Sequence, residues 1–414
     1  MVERIDVLVV GAGSAGLAAS YHLTQASVDH LVVDRSQVGQ GWRDRWESFC
    51  LVTPNWTVQL PGFEYDGNDP DGFLLRDEVV DHLERYAASF SSPLRLGVEV
   101  TALRRNGAGY VVDTSDGSIE ARSVIVATGA FQLPRIPPMC QQLPSGVHQL
   151  HSSQYRDPES LPDGAVLVVG SGQSGSQIAE ELHEAGRRVV LAVGRAGRAP
   201  RRYRGRDTSA WITDLGFLEQ TFEQLEDPGQ QYAANMHVSG KRGGHTINLH
   251  AFARDGIRLV GKIVRANGAR LQLADDLHSN LAKADQRATQ IRTAIDKHIA
   301  VNGIDAPDPD PTDDYDGTDG FDLSLARELD LAAEGISTVL WATGYRHGFD
   351  WIDLDVVDDR GMPIHQRGIT EHPGLYFLGL SWLHKAKSGL LYGVGEDAAH
   401  TVGHLTTTSG RTPA

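Results

Sequence analysis

The chain has 414 residues, 40% of them hydrophobic and 22% charged, which indicates a globular protein of two or three domains and excludes a disordered or fibrous chain. A formal net charge of −16 at pH 7 disfavours nucleic acid and anionic membranes as partners, because attraction to phosphate needs a basic face. With two distant cysteines, Cys50 and Cys140, the sequence excludes a disulfide framework and a Cys-x-x-Cys redox pair.

The first ten residues lead from charged side chains into a short apolar run. This pattern predicts a strand rather than a signal peptide, and no apolar run approaches the roughly 20 residues that span a bilayer. We therefore expect a cytoplasmic protein that does not associate with membranes.

Residues up to Asp34 predict a βαβ unit. A β-branched run ends at Val10, residues 11–16 read Gly-Ala-Gly-Ser-Ala-Gly, and an Ala- and Leu-rich helix and a second strand follow. In such a turn the first glycine allows the tight bend, the second lets a pyrophosphate approach the backbone, and the third lets the helix pack on the strand. Asp34, 23 residues after Gly11, is placed to accept hydrogen bonds from an adenosine ribose.

Residues 98–126 alternate short β-like segments with turns and end in Ala127-Thr128-Gly129. A near-copy of this ending, Ala342-Thr343-Gly344, lies late in the chain. Between them the proline-rich residues 133–138 are typical of a connection between domains, because proline cannot donate a ladder hydrogen bond.

A second βαβ unit is predicted over residues 165–193, with the sequence Gly-Ser-Gly-Gln-Ser-Gly at 170–175. No carboxylate stands at the end of its second strand, where Gly194 is followed by Arg195 and, three residues later, Arg198. Arginines there can neutralise a 2′-phosphate, which favours NADPH over NADH; the alternative is that they form a solvated face.

Residues 277–300 predict an amphipathic helix and residues 306–322 a solvated acidic loop. The aspartates of this loop resemble a calcium-binding loop only faintly, because Pro309 and Pro311 interrupt the spacing, so we predict no metal site.

Two dinucleotide sites in one chain suggest hydride transfer between a nicotinamide and a second cofactor. Three motifs extend this pattern: Gly-Gln-Gly-Trp at residues 39–42 after Asp34, His-Ser-Ser-Gln-Tyr at 151–155, and the two Ala-Thr-Gly sequences. Together they resemble the class B flavoprotein monooxygenases over residues 4–205 and 336–402. The match departs from the family's linker fingerprint, where Ser145 occupies a phenylalanine position and Val147 a glycine position.

The resemblance implies an α/β fold with two Rossmann-like domains. The first glycine turn would hold FAD in a domain of residues 1–158 and 332–414, and the second would hold NADPH in an inserted domain of residues 159–331. A helical and acidic insertion would span residues 277–322. The implied reaction transfers one oxygen atom from O2 to a small organic substrate, by N- or S-oxygenation or by Baeyer–Villiger chemistry, through a C4a-(hydro)peroxyflavin. The alternatives are an NAD(P)H-dependent flavin oxidase or reductase and a non-catalytic flavin-binding protein.

The resemblance also assigns residues to the site. Asn55 resembles an asparagine that lies near the flavin hydroperoxide, although it could be an ordinary turn residue, and His151 could take part in proton transfer or pack the linker. Trp42 and Trp46 could wall the flavin or fill a core. Residues expected to bind the two cofactors are Gly11, Gly13, Ser14, Ala15, Gly16, Asp34, Arg35, Gly41, Trp42, Trp46, Thr53, Val100, Ala127, Thr128, Gly129, Gly170, Gly172, Gln173, Ser174, Gly175, Arg195, Arg198, Thr343, Gly344, Gly379 and Leu390.

The remaining expectations concern partners and the rim of the site. The substrate would be a small molecule with a soft nucleophilic nitrogen or sulfur, or a ketone. His384, Lys385 and Lys387 are weaker candidates for the flavin rim. Flavoproteins of this kind are often dimers, and the helix over residues 277–300 could serve a homodimer interface.

Overall fold

The structure, a computed structural model, describes residues 2–194, 197–227, 229, 231, 236–310 and 326–408. The chain builds one mostly parallel and one fully parallel sheet with helices packed on them, and the strands that carry the two glycine turns lie inside these sheets. The elements of the first segment are, in order, β1 (Glu3–Val10), α1 (Ser14–Gln25), β2 (His30–Asp34), α2 (Gln40–Arg43), β3 (Gln59–Leu60), β4 (Phe63–Glu64), α3 (Arg76–Ser89), β5 (Leu94–Leu96), β6 (Val100–Asn106), β7 (Gly109–Thr114) and β8 (Gly117–Val126).

The middle of the chain supplies the second sheet and its surroundings. Its elements are β9 (Leu133–Pro134), β10 (His148–His151), β11 (Ala165–Val169), α4 (Gln173–Glu184), β12 (Val189–Ala192), β13 (Arg202–Tyr203), β14 (Arg206–Asp207), α5 (Thr208–Asp214), β15 (Val238–Ser239), β16 (His245–Thr246), α6 (Leu249–Asp255), β17 (Arg258–Val260), β18 (Ile263–Asn267), β19 (Arg270–Leu273), α7 (Leu277–Asn302), β20 (Glu328–Asp330) and β21 (Ile336–Trp341). The chain then returns to the first sheet through β22 (Tyr345–Arg346), β23 (Leu375–Phe377) and α8 (Val394–Thr408).

The first sheet has the strand order β5-β2-β1-β8-β7-β6, and β23 pairs with β8. Strands β5, β2, β1, β8 and β23 run parallel, whereas β7 and β6 form an antiparallel edge. Strand β1 is central because its last four residues, 7–10, are all buried, as a strand covered by helices on both faces requires.

The second sheet has the order β10-β21-β11-β12-β17, and all its pairings are parallel. Strands β10 and β21 belong to this sheet although they lie outside residues 159–331, the range predicted for the second domain. They extend its parallel ladder on one side of β11, because β21 pairs with β11 and β10 pairs with β21.

Helix α7 begins at Leu277, as the sequence predicts, and continues to Asn302. Its apolar residues, spaced three or four apart, are buried against the second domain: Leu277 and Leu281 in the core beneath α4, and Ile291, Ile295 and Ile299 in a smaller cluster around Trp211. The apolar stripe of α7 is therefore covered by its own chain, and the homodimer interface suggested by the sequence stays a prediction. Part of the predicted acidic loop lies outside the described residues.

Candidate functional site: two glycine turns

The first glycine turn joins β1 to α1 in a bend that excludes side chains. Gly11 has φ +114°, and a Cβ there would lie 2.5 Å from the carbonyl oxygen of Ala127. A Cβ at Gly16 would lie 1.8 Å from the carbonyl oxygen of Gly11, so α1 can lie this close to the turn only with glycine at position 16. Gly13, the N-cap of α1, has open space instead, which is where a pyrophosphate would approach the free amides of the helix.

Asp34 ends β2 and is tied to the glycine turn. Its Oδ2 accepts a hydrogen bond of 2.8 Å from the amide of Ala12, and its Oδ1 accepts one of 2.8 Å from the amide of Ser36. Each oxygen keeps a second lone pair, so the carboxylate can still accept a bond from a ribose hydroxyl. The exposed Arg35 follows it directly.

Other predicted residues converge on the same edge of the first sheet. Ala127, Thr128 and Gly129 follow β8, the neighbour of β1, and Gly379 follows β23. A Cβ at Gly379 would lie 2.6 Å from the Cβ of Ala15, which places this segment against the start of α1, beside Ser14. Val100 opens β6, and two residues before it the amide of Val98 donates 2.9 Å to the carbonyl of Asp34.

The side chains of α2 and of the loop after it pack in different domains. Gly41 is exposed, Trp42 packs partly against the first core, and Trp46 is 3% exposed within the core of the second domain. The packing of Trp46 follows the alternative interpretation, in which the tryptophans fill a core. Thr53 is partly buried, and Leu390, 38% exposed, lies just before α8.

Asn55 is buried, and both ends of its amide bind backbone. Its Nδ2 donates 2.9 Å to the carbonyl of Asp69, and its Oδ1 accepts 2.6 Å from the amide of Leu74. These bonds fix the loop over residues 69–74 on the first domain. In this arrangement Asn55 acts as a loop anchor, and its predicted role beside the flavin stays a prediction.

The second glycine turn repeats the first with the same spacing. Gly170 has φ +106°, and a Cβ there would lie 2.5 Å from the carbonyl oxygen of Ala342; a Cβ at Gly175 would lie 1.9 Å from the carbonyl oxygen of Gly170. Gly172 caps α4 with open space around it. The near-copy of Ala-Thr-Gly is thereby explained, because each copy supplies the alanine carbonyl that packs on the first glycine of a turn.

The side chains around this turn come from distant segments. Gln173 donates 2.6 Å from Nε2 to the carbonyl of Val238, and the partly buried Ser174 follows it on α4. The hydroxyl of Ser171 accepts a hydrogen bond of 3.1 Å from the amide of Gly194. This hydrogen bond ties the second glycine turn to the segment that follows β12.

The two arginines predicted to bind a 2′-phosphate have different outcomes. Arg195 lies outside the described residues. Arg198 is 4% exposed, and its Nη1 lies 2.7 Å from Oδ1 of Asp285 on α7. The other oxygen of Asp285 lies 2.9 Å from Nε2 of His250. The guanidinium of Arg198 thus ties α7 to the segment that follows β12, and a phosphate would have to share this arginine with a carboxylate.

His151 lies at the end of β10, fully buried, and its ring joins the linker to the second Ala-Thr-Gly segment. Its Nε2 lies 3.0 Å from the carbonyl of Gly344, and the amide of Ser153 donates 3.2 Å to its Nδ1. Burial lowers the pKa of His151, so the ring is neutral and donates from Nε2. Beside it, the hydroxyl of Thr343 donates to the carbonyl of Arg135. These contacts favour a positioning role for His151.

Lys385 and Lys387 form a cluster of four charges with two glutamates. The Nζ of Lys385 lies 2.6 Å from Glu219 and 2.9 Å from Glu396, and Lys387 contacts the same two carboxylates. Burial lowers the pKa of Lys387, but its bonds to Glu219 and Glu396 raise the pKa by more, so the net shift is upward. The sequence shows the two lysines but gives no signal that Glu219, more than 160 residues away, is their partner.

A cavity of about 500 Å³ opens where the segment after Asn55 meets the second domain. Trp56 and Asp71 line it from one side, and Arg202, Arg206 and Asp214 line it from the other. Its size is in the range of small-molecule sites. It is a candidate entry or binding region for a small substrate.

The described residues contain no group of three or more His, Cys, Asp or Glu side chains arranged to hold a metal ion. Over the same residues, no helix combines the length and the apolar character needed to cross a bilayer.

Comparisons with known proteins agree with this geometry. Residues 8–254, more than half of the chain, match the family model described as pyridine nucleotide-disulphide oxidoreductase. An uncharacterized CzcO-like oxidoreductase of Geobacillus kaustophilus is 34% identical, covering 98% of this chain and 99% of that protein. These matches confirm the prediction that the chain is an oxidoreductase.

Solved structures share the fold. A flavin-containing monooxygenase from Stenotrophomonas maltophilia is 21% identical, with a TM-score of 0.66, over 98% of this chain and 99% of that one. OTEMO in complex with FAD and NADP is 18% identical, with a TM-score of 0.57, over 99% of this chain and 87% of that one. The predicted fold of two Rossmann-like domains is confirmed, and the resemblance to class B flavoprotein monooxygenases is confirmed at the level of the fold.

Proposed function

We propose, from the premise that this chain belongs to the pyridine nucleotide-disulphide oxidoreductase family, that it is an NADPH-dependent FAD monooxygenase acting on a small organic substrate. The observation that carries the proposal is the pair of glycine turns, each capping a helix of twelve residues at the carboxyl edge of its own parallel sheet. Each turn combines free helix amides with a backbone that admits no side chain, which suits a pyrophosphate.

The residues of the first sheet fit FAD. The amides at Gly13 and Ser14 would bind the pyrophosphate, and Asp34 would accept a ribose hydroxyl. Ala127–Gly129 and Gly379 would border the cofactor, because they lie on the same edge. Bound FAD would supply hydride acceptance and O2 activation, while these residues would bind and orient it and exclude water.

The residues of the second sheet fit a nicotinamide dinucleotide. Gly172 and Gln173 would bind its pyrophosphate at the start of α4, and the absence of a carboxylate at Gly194 leaves room for a 2′-phosphate. OTEMO, which shares this fold, is described with both FAD and NADP, which supports the same pair of cofactors here. His151 would keep the two domains oriented through its bond to Gly344.

The substrate class also belongs to this proposal. We expect an amine, a sulfide or a ketone, with the cavity beside Trp56 as its route or binding region. Three expectations stay predictions: a cytoplasmic location, a homodimer in solution, and the catalytic roles of Asn55 and His151.

The test is oxygen incorporation. The purified protein, supplied with NADPH, isotopically labelled O2 and a panel of amines, sulfides and ketones, should place one labelled oxygen atom in a product for each NADPH consumed. Stopped-flow mixing of the reduced protein with O2 should show an absorbing transient before reoxidation. NADPH consumption that yields only hydrogen peroxide across the panel, with no such transient, would instead establish the oxidase. Bound FAD without NADPH consumption would establish a non-catalytic flavin-binding protein.

A further inference from the structure

Arg45 holds a positive charge at the junction of the two domains. It lies in the loop after α2, and its Cζ is 4.8 Å from the ring centroid of Phe131 and 5.9 Å from that of Phe49. Phe131 stands two residues after Gly129, and its ring lies 5.2 Å from that of Tyr345, which directly follows Gly344. Arg45 therefore lies where the two Ala-Thr-Gly segments meet.

The guanidinium has no carboxylate partner in the described part of the chain. Its Nε is buried without a hydrogen-bond partner there, and no ion pair joins it to an acid. The side chain of the neighbouring Asp44 instead accepts a bond of 2.9 Å from Gln40. Other arginines of these domains do have partners: Arg43 contacts Glu84, and Arg201 is bonded to both oxygens of Asp207.

The guanidinium of Arg45 has a side-chain hydrogen bond with Tyr345 but no carboxylate partner among the residues that the structure describes. A guanidinium packed against aromatic rings loses hydration, which a protein tolerates where an anion completes the site. Burial lowers the pKa of Arg45, and the nearby Tyr345 and Asp44 oppose this shift, which is the pattern of a desolvated cation short of negative charge. An anionic ligand would supply the missing partner.

The ligand is identified by where Arg45 lies. Its contacts with Tyr345 place it beside the segment that follows β21, and β21 neighbours β11, the strand that ends in the second glycine turn. A dinucleotide on that turn would have its pyrophosphate at the same carboxyl edge. A first-domain arginine at this point would contact a ligand held mainly by the second domain.

We propose that Arg45 binds a phosphate of the nicotinamide dinucleotide seated on the second glycine turn, so that this ligand bridges the two domains. The inference rests on the proposed NADPH site. It adds a binding residue outside both glycine turns, from a loop that the sequence assigns to the flavin.

The test compares Arg45→Gln with Arg43→Gln. This control removes an arginine two residues away, at the end of α2, that is paired with Glu84 on the first domain. NADPH oxidation is measured without organic substrate, so that a substrate carboxylate plays no part. Arg45→Gln should raise the KM for NADPH about tenfold or more, with flavin content unchanged and kcat within about twofold, since a charge-assisted bond to phosphate is lost. Arg43→Gln should leave the KM as in the wild type.

Two further measurements separate the outcomes. Titration with NADP+ followed by tryptophan fluorescence should show the same loss of affinity, and added KCl should weaken binding less in Arg45→Gln than in the wild type. If Arg45→Gln does not fold, Arg45→Lys serves instead. This variant keeps the positive charge but loses the paired N–H donors of the guanidinium, and it should still raise the KM for NADPH. An unchanged KM and NADP+ affinity, or loss of FAD with intact NADP+ affinity, would overturn the proposal. A wild-type protein that binds NADP+ but oxidises no NADPH would contradict the proposed function and leave the Arg45 comparison measurable.

Discussion

The two glycine turns share one backbone design and differ in the polar group beside it. In the first turn the amide of Ala12 donates to the carboxylate of Asp34, a residue of the following strand. In the second turn the direction is reversed, because the amide of Gly194 donates to the hydroxyl of Ser171 in the turn itself. In the proposed function, the shared backbone would bind a pyrophosphate in both turns, and the group at the end of the next strand would decide which ribose each turn accepts.

We expect the largest effects from substitutions at the third glycine of each turn, because these glycines lie against backbone oxygens. Gly16→Ala would place a Cβ 1.8 Å from a backbone oxygen, and Gly175→Ala would place one 1.9 Å from its counterpart. We expect Gly16→Ala to lose its flavin, whereas Gly175→Ala should keep the flavin and slow its reduction by NADPH about 100-fold or more. Flavin absorbance of the purified variants and anaerobic stopped-flow reduction measure the two effects.

Gly146→Ala is the control for both variants, because a Cβ there meets nothing within 4 Å. It should behave as the wild type. Equal flavin loss in Gly16→Ala and Gly175→Ala would show that the two turns do not hold separate ligands.

The reversed hydrogen bond suggests a second change, Gly194→Asp. A Cβ at Gly194 also meets nothing within 4 Å, so the fold should accept the side chain. The new carboxylate would accept a free 2′-hydroxyl and repel a 2′-phosphate, and we expect the ratio of kcat/KM for NADH over NADPH to rise about tenfold. Steady-state kinetics with both coenzymes measure this ratio. A shift toward NADPH would contradict the assignment of the second turn.

The helices that follow the two turns differ in their acidic residues, because α4 buries Glu180 and Glu181 whereas α1 has none. A substitution of Glu181 gives the smallest effect that we expect. Glu181 on α4 is 9% exposed and accepts bonds from the hydroxyls of Ser48 and Tyr155, and burial raises its pKa above the ordinary value of 4.5. Because the pKa of Glu181 is higher in the folded than in the unfolded chain, its protonated carboxyl adds to the free energy of unfolding below pH 4.5. This contribution is lost as the pH rises through the pKa of the folded state. Glu181→Gln should therefore unfold about 2 °C higher than the wild type near pH 8, with the difference shrinking toward pH 4.5.

Thermal unfolding across this pH range measures the difference, with the exposed Glu159→Gln as control. A variant that is less stable than the wild type at pH 8 would show that the charged carboxylate is itself stabilising.

The sequence predicts local features of the molecule well. Both βαβ units, the glycine turns and the start of helix α7 at Leu277 follow from apolar periodicity and turn chemistry, which act over a few residues. The position of Asp34 beside the first turn was readable for the same reason, since its spacing from Gly11 is fixed by one helix and one strand.

Features that depend on distant partners were not readable. Asp285 lies 87 residues after Arg198 yet occupies its guanidinium, and Trp46 belongs to a core built mostly from the other domain. Asn55 follows a proline, as turn residues do, but the backbone groups that bind its amide come from a loop 14 to 19 residues later. In each case tertiary packing assigns the role, and local pattern gives no signal for it.

The most direct test of two separate dinucleotide sites is an anaerobic titration of the purified, flavin-loaded protein with NADPH. The account predicts that one NADPH bleaches one flavin and that Gly175→Ala, still loaded with flavin, bleaches far more slowly. A protein that stays colourless with added FAD, or a flavin that NADPH does not reduce, would contradict it.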